Sequence, residues 1–107
     1  MNQSEKQIVH IVSWRLNGSS PQQRSEQAKK IGIAFEEARS QIKGLLRQEL
    51  GSNVVKDVDA WDLAVVMVFE SRAARDAYQV HPSHLAIKAL VGPMRKERTQ
   101  IDFEINA

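Results

Sequence analysis

The sequence contains no cysteine. Disulfides, a thiolate nucleophile, an iron–sulfur cluster and a cysteine zinc site are therefore excluded, and the composition fits a reducing, cytoplasmic setting. No uncharged apolar run approaches the ~18 residues that a membrane span needs. The opening MNQSEKQ is polar and lacks the apolar core of a secretion signal. Charge of one sign is also scarce. Fifteen basic residues against thirteen acidic ones leave +2, which gives no broad field for a polyanion. What remains is the 42% hydrophobic, 26% charged composition of an ordinary globular domain, here 107 residues long. One domain is expected over residues 1–107, with its core at 8–105.

Ile8-Val9-His10-Ile11-Val12-Ser13-Trp14-Arg15-Leu16 is β-branched and aromatic and ends at the turn pair Asn17-Gly18. As a strand it places Ile8, His10, Val12, Trp14 and Leu16 on one face, and Val9, Ile11, Ser13 and Arg15 on the other. Ser20-Pro21-Gln22-Gln23 then reads as a capped helix start. Ala28, Ile31, Ala34, Phe35, Ala38 and Ile42 recur at helical steps, which predicts about six turns stopping at Gly44. Leu45 to Leu50 reads as a second strand, followed by a polar stretch from Gly51 to Trp61. Leu63 to Phe69 is the most apolar run, short and β-branched, hence a third strand. Ser71 caps a helix bearing Ala74, Ala77 and Tyr78. His81-Pro82 interrupts it, because Pro82 disfavours helical dihedrals at His81. A further helix runs from Pro82 to Gly92-Pro93, and Ile101 to Ile105 alternates as a last strand. The order β-α-β-β-α-β is the α+β, ferredoxin-like arrangement, with helices on one face of a four-stranded antiparallel sheet.

That arrangement leaves one sheet face open. A solvated face should alternate apolar and polar. Here Ala64, Val66 and Val68 back Leu63, Val65, Met67 and Phe69, while Ile101, Phe103 and Ile105 share a side. An apolar face of this kind marks an interface, and a second copy closing over it predicts a barrel-like homodimer. The alternative is that the tail or the Gly51–Trp61 loop folds across it.

Four segments carry a family likeness: Ile8–Leu16, Asp62–Ser71, Tyr78-Gln79-Val80-His81-Pro82-Ser83-His84, and Ile101-Asp102-Phe103. Together the chain resembles the stress-responsive A/B barrel domain family, with Tyr-x-x-His-Pro-x-His its most specific piece. The resemblance implies a homodimer whose sheets face each other. A plant relative in that family, olivetolic acid cyclase, is a cofactor-free polyketide cyclase with a pocket between sheet and helices. By that likeness His84 matches a catalytic histidine, Tyr78 and Asp102 match groups that assist it, and His10 matches a pocket histidine. Leu63 departs from it, standing where the cyclase has another histidine, and Phe35 partly echoes its pocket aromatics. Val12, Trp14, Phe35, His10 and His81 are the expected ligand-binding residues.

These residues also have packing readings. His81 could cap the second short helix, Tyr78 could fill the core with its hydroxyl at the rim, and Asp102 could anchor His84. As chemistry, His84 would act as general acid or base near neutral pH, and Tyr78 would donate to an oxyanion. No metal is expected, since a third ligand beside His81 and His84 is not evident. No nucleic acid is expected either, because the third strand lacks stacking aromatics and Arg95-Lys96-Glu97-Arg98 reads as a solvated connection. The expectation is a small-molecule-binding homodimer without cofactor; the alternative is a cofactor-free cyclase or lyase acting on a small carbonyl compound.

Overall fold

A computed structural model describes residues 6–106; the polar opening Met1 to Glu5 lies outside them. Four strands, β1 (Lys6–Leu16), β2 (Leu45–Ser52), β3 (Leu63–Phe69) and β4 (Arg95–Asn106), form one antiparallel sheet in the order β2-β3-β1-β4. Helices α1 (Pro21–Ala38), α2 (Arg72–Gln79) and α3 (Pro82–Val91) cover one face.

Strand alternation sets the layers. On β1, Ile8, His10, Val12, Trp14 and Leu16 are all buried, and β3 contributes Leu63, Val65, Met67 and Phe69 to the same face. Ala28, Ile31, Phe35 and Ala38 of α1 meet them, with Tyr78 of α2 and Ile87 and Val91 of α3. Full burial of one such apolar side chain stabilises by about 1.5–3 kcal/mol, so this face carries the fold.

Local signals start the helices where the sequence places them. The Ser20 hydroxyl accepts from the Gln23 N–H at 3.1 Å and Pro21 occupies the first turn. Ser71 caps α2 through the Ala74 N–H, also at 3.1 Å. The α1 helix ends at Ala38, earlier than the periodicity predicts. A 3₁₀ turn over Arg39–Gln41 follows, which still buries Ile42. Gly44 then reverses the chain at φ +83°, and a Cβ there would meet Ala74 at 2.6 Å. Glycine is required on both counts. At Gly32 a Cβ would press on Leu50 at 3.3 Å, so the missing side chain lets β2 approach α1.

The last strand is the main correction. It begins at Arg95 rather than Ile101, and Arg95-Lys96-Glu97-Arg98 pairs with β1 instead of forming a connection. Charged side chains suit an edge strand, where they discourage further pairing. A bulge between Arg15 and Leu16 shifts this ladder: Arg15 faces Glu97, but Leu16 faces Arg95.

The other sheet face is open. Val9 stands opposite Phe103 and Ile11 opposite Ile101, beside Val66 and Val68. Ile101 is 57% and Phe103 43% exposed. The 53–62 loop does not cover them. Its Trp61 packs under the Arg15 guanidinium at 4.9 Å, while Val54 and Val58 point outward, almost fully exposed.

Candidate functional site

The His81-Pro82 break builds the site. Tyr78 lies in the last turn of α2 and His84 in the first turn of α3. Two histidines stitch the break. His81 Nδ1 accepts the Ser83 N–H at 3.0 Å, capping α3. His84 Nδ1 donates to the Gln79 carbonyl at 3.1 Å, satisfying an end of α2 that has no helical partner. The result lays the Tyr78 and His84 rings against each other, centroids 4.2 Å apart.

From the sheet, His10 projects towards the same place. Its ring is 2% exposed and meets Tyr78 edge-on at 6.1 Å. His10 and Asp102 are cross-strand neighbours, and His10 Nδ1 donates to Asp102 Oδ1 at 2.7 Å. Arg75 grips the same carboxylate with two bonds, Nε to Oδ1 at 3.0 Å and Nη2 to Oδ2 at 3.1 Å. Gln100 Nε2 adds a fourth, at 2.8 Å.

Between these groups lies a cavity of about 100 Å³. Its buried wall is Val12, Trp14, Phe35, Val65, Ile87 and Val91; its polar lining is His10, Tyr78 and His84. Lys88, Arg95 and Arg98, all exposed residues, form the mouth. A space this size holds several water molecules and is smaller than a ~150 Å³ cavity that takes benzene.

The hydrogen bonds dictate the tautomers. Both histidines spend their Nδ1 protons on acceptors, Asp102 and Gln79, so both Nε2 atoms carry lone pairs. Neither Nε2 nor the Tyr78 hydroxyl has a hydrogen-bond partner among the described residues, yet none is sealed from solvent. Burial lowers the His10 pKa below its ordinary value, partly offset by Asp102. Burial also lowers that of His84, against the hydrogen bond to Gln79. Both imidazoles are thus neutral at pH 7. Burial raises the Tyr78 phenol, with Arg98 pulling the other way, so the hydroxyl stays protonated as a donor. At Asp102 burial opposes ionisation, but the bonds from Arg75, Gln100 and His10 outweigh it and hold the pKa at about 2. The cavity therefore presents two bases and one hydroxyl donor in an apolar setting.

The structure brings together six of the eight residues singled out from sequence: His10, Val12, Trp14, Phe35, Tyr78 and His84. Asp102 stands behind His10 rather than beside His84, and does not line the cavity. His81 does not line it either, because its ring nitrogen is engaged in the cap. Sequence reading missed Arg75, Lys88, Arg95 and Arg98. Arg75 lies three residues before Tyr78, a spacing that shares a helix face and was the available signal. Among the described residues no group of three histidine, aspartate or glutamate side chains could hold a metal, and no helix is long and apolar enough to cross a membrane.

Solved structures share this architecture. A dimeric ferredoxin-like protein of unknown function from Thermobifida fusca is 25% identical, with 98% of this chain and 96% of that one covered at a TM-score of 0.83. A Dabb family protein from Mesorhizobium loti is 24% identical, covering 92% and 96%, at 0.75. The hydroxynitrile lyase of Passiflora edulis shares the fold at 17% identity, covering 95% of each chain, at 0.79. No curated protein matches in sequence. Residues 8–105, nearly the whole chain, match the stress responsive A/B barrel domain, and the protein belongs to that family.

Proposed function

We propose that the protein is a homodimer that binds a small molecule in the cavity between sheet and helices. One observation carries this reading: three polar atoms, His10 Nε2, His84 Nε2 and the Tyr78 hydroxyl, have no hydrogen-bond partner among the described residues and surround a largely apolar space. All three stay open to solvent, so a ligand or water entering the cavity can take up their free hydrogen-bonding capacity. A thermal-shift screen of small carbonyl compounds tests it. Binding to the folded form raises Tm, and His84→Ala abolishes the rise. A panel in which no compound moves Tm, with ordered water filling the cavity, overturns it.

The open face and the dimeric ferredoxin-like protein of Thermobifida fusca support the dimer. A second copy would cover Val9, Ile11, Ile101 and Phe103. Sedimentation at micromolar concentration should give a dimer, and Phe103→Glu a monomer. A wild-type monomer would refute this part alone.

A second reading is favoured by the His10–Asp102 bond, since a carboxylate fixing a histidine tautomer is how a base is oriented. In it the cavity is a cofactor-free acid–base site for a small carbonyl compound. A neutral imidazole, His84 or the Asp102-backed His10, removes the proton beside the carbonyl. The electron pair moves onto the carbonyl oxygen, where Tyr78 donates a hydrogen bond, and the imidazolium returns the proton. Loss of proton–deuterium exchange at that carbon in His84→Ala and His10→Gln would support it; unchanged exchange would exclude it.

A further inference from the structure

We propose that the cavity's ligand is a small monocarboxylate, with its apolar body against Val12, Ile87 and Val91 and its carboxylate at the mouth between Arg95 and Arg98. This rests on the binding reading above and names the chemistry of its occupant.

In a regular strand residues three apart point to opposite faces. Arg95 and Arg98 are three apart, yet both line the cavity. The bulge explains this. Trp14 faces Arg98 and Arg15 faces Glu97, but Leu16 faces Arg95, so Lys96 is the extra residue. That insertion turns Arg95 back to the helix side. Bulges of this kind re-aim a side chain. Without it Lys96 would take the inward place opposite Leu16, and a lysine ammonium would stand where the second guanidinium now is.

The charge balance agrees. The lining has three cations, Lys88, Arg95 and Arg98, and no carboxylate. None of the three forms a salt bridge among the described residues; Arg98 donates to the neutral Gln100 Oε1 at 2.7 Å. The nearest acid, Asp102, is committed: its oxygens already take Arg75, His10 and Gln100. Arg98 is partly desolvated, which lowers its pKa, a cost that an incoming anion would relieve. A guanidinium offers the fork that a carboxylate fits in two bonds. Beyond the cations the wall is mostly apolar, broken only by His10, Tyr78 and His84, so an all-polar anion such as phosphate would leave most of it unused. The small volume restricts the body to a short or branched chain.

The test is an NMR titration of the full-length protein at low ionic strength with isovalerate, its neutral isostere isovaleramide, and inorganic phosphate. Isovalerate should shift the amide signals of Val12, Ile87 and Val91 and bind at least about tenfold tighter than isovaleramide, as a charge-assisted hydrogen bond implies. Arg98→Gln should reduce isovalerate to the affinity of the amide, and Arg98→Lys should restore part of the difference. Arg95→Gln provides the same measurement should Arg98→Gln lose its dispersed spectrum. Equal binding of the two compounds, or an arginine variant that binds isovalerate as wild type does, overturns the carboxylate assignment and leaves the binding reading standing. Phosphate competing as well as isovalerate overturns it too, marking a general anion patch. No shift in the cavity with any compound removes both readings.

Discussion

Tyr78 and His84 stack with their ring centroids 4.2 Å apart although a helix break separates them in the chain. The contact exists because α2 ends and α3 begins within three residues, at Val80, His81 and Pro82. The two rings that face the cavity are thus placed by the two histidine bonds that close the break.

His81 is the first test of that arrangement. Its bond to the Ser83 N–H is a cap, so His81→Ala should cost about 0.5–2 kcal/mol in urea unfolding. His81→Asn should recover most of it, because an asparagine side chain can accept the same N–H. Ligand-induced shifts at Val12 and Ile87 should survive both changes. A His81→Ala protein of wild-type stability would show that the cap contributes nothing.

Tyr78→Phe removes a hydroxyl that has no partner among the described residues. Stability should change by less than about 0.5 kcal/mol, since no internal bond is broken and the ring packing is kept. Affinity for the cavity ligand should fall. A loss of more than about 1 kcal/mol in chemical denaturation would reveal an internal hydrogen bond and remove one of the three free polar atoms.

Asp102→Asn tests the bond across β1 and β4. The carboxylate raises the His10 pKa against burial, so its removal should lower that pKa further, read from the His10 ring proton in an NMR titration. Arg75 loses its partner as well, and unfolding should become easier by about 1–2 kcal/mol. A His10 pKa that rises would mean that Asp102 does not hold this ring.

Acid should weaken the fold in two windows. His10 and His84 titrate below their ordinary 6.5 when folded, so the unfolded chain binds more protons as pH drops through that value. Their contribution is complete above 6.5 and is lost as pH falls through the folded values. Asp102 adds a second loss between 3.8 and about 2. Calorimetric Tm should therefore decline as pH falls below about 6.5, and a His10→Gln, His84→Gln double variant should flatten that slope. An equal slope in the double variant would assign the effect to other groups.

Much of this molecule is legible in its residues. The alternation of β1 names its buried face one residue at a time, and Leu63 to Phe69 matches β3 end to end. Tyr78 and His84 stand out because Pro82 forces a break between them. The first half of β4 stays hidden, since Arg95 to Arg98 is charged on both faces and an edge strand needs no apolar period. The partner of Asp102 is hidden for another reason. It lies 92 residues away, and only the β1–β4 register, with its bulge, selects His10 over His84. The inward turn of Arg95 depends on the same bulge, which no local residue pattern announces.

β4 works as a ruler. Asp102 reaches inward to His10 while its neighbours Ile101 and Phe103 point out to the bare side of the sheet. One residue gained or lost between Arg98 and Asp102 would exchange those roles, seating an isoleucine or phenylalanine behind the imidazole and a carboxylate on the greasy exterior. Length along this stretch should therefore be held constant, whereas the 53–60 turn, with its outward valines, can grow or shrink without disturbing either side.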